Sequence, residues 1–162
     1  MTIALITDGI WPYVIGGMQK HSYYLCRYLA KNNINVILVH TALEITDDVK
    51  NITCFSNDER IYIKSIVVEK PSAPPFPGHY IYQSYCFSRK VYKELGGFPQ
   101  ADFIIAKGMT GLYFLNRKND STPPIAINIH GYEFMQKKAS IRGWAEAIML
   151  RFPLTFLNRK AD

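Results

Sequence analysis

The chain has 162 residues, 48% of them hydrophobic and 20% charged, which suits one soluble domain with a real core. Three widely spaced cysteines, Cys26, Cys54 and Cys86, argue against a disulfide framework or a zinc site and fit a reducing compartment. The formal charge of +6 points to anionic partners, although the basic residues are scattered and a solvated basic surface accounts for them as well. With no clustered basic stripe and no recognition motif, nucleic acid is not an expected partner. Nothing approaches ~18 consecutive apolar residues, so no membrane span is expected. The opening "MTIALITDGIWP" lacks a basic leader region and its apolar run is too short for a signal peptide. A cytoplasmic location is expected, with room for a peripheral place on the inner face of a membrane.

In chain order, "IALIT" (3–7) is a continuous apolar run of the kind found in strands buried on both faces. A helix follows from Met18, with Met18, Leu25, Tyr28 and Leu29 at helical spacing and His21 and Ser22 on the same side. It should end at Asn32 or Asn33 in a left-handed cap. "NVILVHT" (35–41) gives a second strand and completes a βαβ unit. Residues 42–60 read as a polar loop with at most a short helical turn. "IYIKSIVVEK" (61–70) is a third strand, and "PSAPPFPG" (71–78), with four prolines, is a loop. Ile81, Tyr85, Ser88, Tyr92 and Leu95 mark a second helix, stopped by Gly96-Gly97. A fourth strand at 102–108, a short helix in "TGLYFLNRK" and a fifth strand at 125–129 follow. The last helix carries Ile141, Trp144, Ala145, Ile148 and Phe152, and Pro153 should kink or break it. Strands alternating with helices predict an α/β, doubly wound, Rossmann-like parallel sheet with helices on both faces.

Such sheets bind ligands at the carboxyl ends of their strands. Three strand ends stand out. After the first strand, "DGIWPYVIGG" is far longer than a usual connection of ~2–6 residues. Gly16 and Gly17 precede a helix start, whose free N–H groups and positive dipole end suit a phosphate. A plain turn is the competing explanation. Lys20 and His21 lie in reach of an anion bound there, and a solvent-facing Lys20 with a half-buried His21 is the bland alternative. After the fifth strand, "HGYEF" puts His130 at the edge, with Glu133 to orient the ring, bind a hydroxyl or cap a helix. His130 as a mere loop-shaping residue explains it equally. "AKGMTG", with Gly108 and Thr110, is either a backbone-donor site or a capped helix start.

Together, "IALITDGIWPYVIGGMQKHSYYLCRYLAKNNINVILVHT", "DFIIAKGMTG", "IHGYEF" and the final "NRKAD" resemble the N-terminal domain of the retaining, nucleotide-sugar-dependent glycosyltransferases of GT-B architecture, family 4. "NINV" stands where "GHEV" is common in that family. The resemblance implies two Rossmann-like domains facing a cleft. Residues 1–162 would be the acceptor-side domain, stopping before its last strand, with the donor-binding domain absent and the fragment inactive alone. It implies that Gly16 and Gly17 contact the donor diphosphate and that His130 is the catalytic or positioning group beside the transferred sugar. His21, Lys20, Gly108, Thr110 and Glu133 would be donor or acceptor contacts. No metal and no cofactor is implied beyond the nucleotide-sugar co-substrate. The implied partners are that donor, a glycan or lipid-linked acceptor, and an anionic membrane touched through Lys137, Lys138, Arg142 and Arg151. The competing class is a stand-alone, non-catalytic Rossmann-type module that binds a sugar or nucleotide.

Overall fold

The computed structural model describes residues 1–42, 44–96, 100–129, 136 and 140–162, without the side chain of Arg142. Among these, five apolar runs form strands: β1 (Thr2–Ile6), β2 (Asn35–His40), β3 (Ile63–Val67), β4 (Phe103–Lys107) and β5 (Ile125–Asn128). All pair in parallel, in the order β3-β2-β1-β4-β5. Leu5 of β1 lies between Leu38 of β2 and Ile105 of β4.

Side chains alternate across the sheet, yet both faces are apolar. Ile3, Leu5, Val36 and Leu38 pack into one core, and Ala4, Ile6, Ile37, Val39, Ile104 and Ala106 into another. That is why the strands read as continuous apolar runs rather than alternating ones. The first core is covered by α1 (Gly17–Lys31), through Tyr23, Cys26, Leu29 and Ala30. Two one-turn helices, α2 (Asp47–Lys50) and α3 (Asn57–Arg60), flank it. The second core is covered by α4 (His79–Leu95), α5 (Leu112–Asn116) and α6 (Ile141–Lys160). They contribute Phe87 and Val91, Phe114 and Leu115, and Leu154 and Leu157 respectively. The result is the expected doubly wound α/β fold. No helix of the described residues is long and apolar enough to cross a membrane.

Four local expectations change. The polar stretch 42–60 contains two short helices rather than one turn, because Thr46 and Ser56 each accept a hydrogen bond from the first turn that follows them. In α1 the buried stripe is Ser22, Tyr23, Cys26, Leu29 and Ala30, whereas Tyr28 is 66% exposed. The sheet-facing side is thus rotated away from Tyr28. In α6 the predicted stripe is the outer one: Ile141, Trp144 and Phe152 are exposed, and Ala147, Leu154 and Leu157 are buried. Of the kink or break expected at Pro153, the break does not occur, since buried Ala147 before it and Leu154 and Leu157 after it hold both halves to the same core. Asn33 takes the left-handed conformation predicted at the end of α1.

Candidate active site

The strand order reverses between β1 and β4, so their carboxyl ends frame the crevice where ligands bind in this architecture. The loop from β1 to α1 is tied down at several points, although Ile15 projects into solvent. Ile10 is fully buried, and the Trp11 ring meets Tyr23 edge-on at 5.0 Å. The Tyr13 hydroxyl donates to the Asp48 carbonyl at 2.8 Å and accepts from the Cys54 N–H at 3.2 Å. The Gln19 amide donates to Asp8 Oδ1 at 2.9 Å, so the first turn of α1 is clamped to the end of β1. Trp11-Pro12 is a cis peptide.

Gly16 is the residue before α1, with no side-chain cap on the helix and no acidic residue in its first turn. Its backbone is extended, at φ 167, and Gly17 is the first residue of the helix. Neither therefore occupies the left-handed region that only glycine favours. A side chain on Gly16 would run into the Gln19 amide, while a Cβ on Gly17 would have nothing within 4 Å. The side of α1's first residue where a Gly17 side chain would stand is thus open space. Lys20 and His21 are both exposed on the next turn.

The end of β4 closes on this helix start. Gly108 has φ +55, a conformation costly for other residues, and a Cβ there would lie 3.7 Å from Met18 Sδ. It opens a 3-10 turn, Gly108–Gly111, that leads into α5. Buried Thr110 uses its hydroxyl to hold that turn, with the Lys107 carbonyl at 2.9 Å and the Ile6 carbonyl of β1 at 3.1 Å as acceptors. Thr110 is therefore a brace between β1 and β4 that also borders a cavity.

That cavity, about 220 Å³, lies at the same sheet edge. Asp8, Thr41 and Thr110 border it from the strand ends, and Tyr80, Gln83 and Ser84 from α4. Sequence reasoning named only Thr110 of these. The α4 residues gave no signal, because they read simply as part of an amphipathic helix.

Lys107, the last residue of β4, was also missed. It is fully buried, and its Nζ lies 2.8 Å from His21 Nδ1. Burial pushes the ammonium down to about 8. His21 is likewise lowered, first by partial desolvation and then by the Lys107 charge. Its only sequence signal was a lysine closing an apolar strand.

His130 and Glu133 lie outside the described residues, as do Lys137 and Lys138. The structure thus brings together Gly16, Gly17, Lys20, His21, Gly108 and Thr110 around one helix start and one strand end. Among the described residues, no group of three or more His, Cys, Asp or Glu is arranged to hold a metal ion.

The parallel order β3-β2-β1-β4-β5, with an uncapped helix start beside its switch point, defines a doubly wound, Rossmann-like α/β domain. Residues 15–162 match Glycosyltransferase Family 4, and the chain belongs to that family. No curated protein matches it.

Proposed function

We propose that the chain is the acceptor-side, N-terminal half of a retaining glycosyltransferase that moves a sugar from a nucleotide-sugar donor to a glycan or lipid-linked acceptor. The observation that carries this reading is the open start of α1. Departure of a nucleoside diphosphate concentrates negative charge on the leaving oxygens. Preorganised N–H groups at a helix end stabilise that charge with no reorganisation during the reaction. Gly16 and Gly17 let the diphosphate approach those groups, and the loop clamp through Gln19 and Asp8 keeps them aimed. The cavity beside Asp8, Thr41, Gln83 and Ser84 offers carboxylate, hydroxyl and amide partners, which suits a hydroxyl-rich acceptor. In this reading His130 is the catalytic or positioning group for the transferred sugar, Glu133 is a donor or acceptor contact, and the nucleotide-sugar is the sole co-substrate, without a metal. The second domain would supply the remaining donor contacts.

We place the protein at the inner face of a membrane, in the cytoplasm. The support is α6, whose outer side exposes Ile141, Trp144 and Phe152 together with Arg151 and Arg159. Apolar and basic side chains sharing one face suit an anionic interface.

The test is Gly17→Val in the transferring protein. A Cβ-branched side chain fits the empty space without touching the core, so thermal stability should stay close to the wild type, while transfer falls by at least about a hundredfold. Wild-type turnover in that variant would refute the phosphate cradle.

A further inference from the structure

The cavity at the sheet edge adjoins further hollows. Tyr80, at the start of α4, borders the cavity and also a second hollow of about 470 Å³ between the proline loop and α6. Pro77, Gly78 and Met149 border that hollow and, in turn, a third of about 570 Å³ between α4 and α6. Phe152 borders the third and a last hollow lined by α6 alone, beside Arg159 and Lys160. Shared walls thus join the four into one trough, from the strand ends to the outer side of α6.

The short helix α5 makes room for it. Four of its five residues are buried, and it lies between the longer helices α4, of 17 residues, and α6, of 20. In the third hollow Leu112 of α5 meets Ile81 and Tyr85 of α4 and Met149 and Pro153 of α6. The rim of the second hollow is stiff. Pro75 and Pro77 fix their own backbone, and the Phe76 ring is braced edge-on by His79 at 6.4 Å and Tyr82 at 6.0 Å.

Polarity changes along the trough. At its head, Asp8, Thr41, Gln83 and Ser84 offer carboxylate, hydroxyl and amide groups. The middle is walled mainly by proline, aromatic, aliphatic and methionine side chains, with His79 and Glu146 on one side of the second hollow. The far end combines Phe152 and Phe156 with cations. A glycan lying along this path would leave most of its hydroxyls without partners in the middle stretch. A hydrocarbon needs no partners there and gains by leaving water. The order polar, apolar, basic matches an amphiphile with its sugar at the strand ends and its tail leading toward an anionic interface.

We propose that this trough holds the hydrocarbon tail of a lipid-linked acceptor whose sugar occupies the cavity at the strand ends. This rests on the reading of that cavity as the acceptor site, and it selects the lipid-linked acceptor over the free glycan. Met149, shared by the second and third hollows, and Phe152, shared by the third and last, are the contacts that set preference for the tail. Neither borders the cavity that takes the sugar.

The test is methyl NMR on the chain with methyl, hexyl and decyl glycosides of glucose, galactose and mannose, all at monomeric concentrations. Affinity should rise about twofold per CH₂, half the free-energy gain of full burial because the trough is open. Decyl but not methyl glycosides should shift the methyl signals of Ile81, Leu112 and Met149, while both shift those of Thr41 and Thr110 in the cavity. Met149→Glu should flatten the dependence on tail length. Phe152→Ser, at a position 75% exposed and so undemanding for folding, should weaken decyl-glycoside binding about fourfold. Tail-length dependence that survives in both folded variants would overturn the proposal. Cavity shifts without trough shifts, and with equal affinity for methyl and decyl glycosides, would overturn it alone and leave the acceptor cavity standing. Trough shifts without cavity shifts would also overturn it, since the trough would then hold a tail independently of any sugar. Shifts at neither place with any of the three sugars would overturn both.

Discussion

Acidification should destabilise this domain through one buried histidine. His40 ends β2 with no exposure, its Nδ1 3.2 Å from the Thr41 carbonyl oxygen and its Nε2 3.0 Å from Ser65 Oγ. The carbonyl can only accept, so Nδ1 carries the proton and Nε2 accepts from the serine hydroxyl. Burial pushes the imidazole down from 6.5 to about 4, against the opposing pull of the Thr41 carbonyl. With the folded value below the unfolded one, the unfolded chain takes the proton first as pH falls. The contribution of His40 is therefore complete above the unfolded pKa of 6.5, shrinks as pH falls toward about 4, and is gone below that. At about 1.4 kcal/mol per pH unit the whole window is worth roughly 3 kcal/mol, and about 2 kcal/mol is lost by about pH 5. Urea unfolding of the wild type and of His40→Asn, compared at about pH 7.5 and about pH 5, measures it. Asparagine can keep the contact to Thr41 but does not titrate. The wild type should lose about 2 kcal/mol more than the variant across that interval. Equal losses in the two proteins would refute the reasoning.

Other outcomes follow from packing and surface chemistry. Gly111→Val should cost about 1–3 kcal/mol and lower the melting temperature, because a Cβ there would lie 2.5 Å from Ile127 Cδ1 and 3.0 Å from Ala106 Cβ. Differential scanning calorimetry beside Gly17→Val, where the space is empty, separates a packing glycine from a site glycine. Replacing both Trp144 and Phe152 by glutamate should sharply reduce co-sedimentation with vesicles rich in anionic lipid while leaving thermal stability near wild type, since both rings face solvent. Co-sedimentation that ignores both the substitutions and the anionic lipid content would sink the membrane reading.

The strands were legible because a parallel sheet with two covered faces demands apolar residues in unbroken runs, and residues 3–7, 35–41 and 102–108 supply them. The start of α1 was legible from its paired glycines. Helix faces were less so. Apolar residues run around much of α6, so Ile141, Trp144, Ile148 and Phe152 fit helical spacing as well as Ala147, Leu150, Leu154 and Leu157 do. Periodicity cannot choose between two apolar stripes, whereas contact with the sheet does. In α1 the same ambiguity hid Tyr23 behind Tyr28. Ser84 and Gln83 belong to the cavity only because the α4 helix crosses the sheet edge, a tertiary fact with no local pattern. Lys107 could be noticed as a charge ending a buried strand, but its partner His21 lies 86 positions away.

The central claim is that the open start of α1 and the adjoining end of β4 receive the diphosphate of a nucleotide-linked sugar. Amide chemical-shift mapping of the ¹⁵N-labelled chain with a nucleoside diphosphate tests it most directly. The account predicts saturable shifts centred on Gly16, Gly17 and Met18 and reaching the Gly108–Gly111 turn, all lost in Gly17→Val. Saturable shifts confined to other surfaces, or unchanged binding in Gly17→Val, would contradict it.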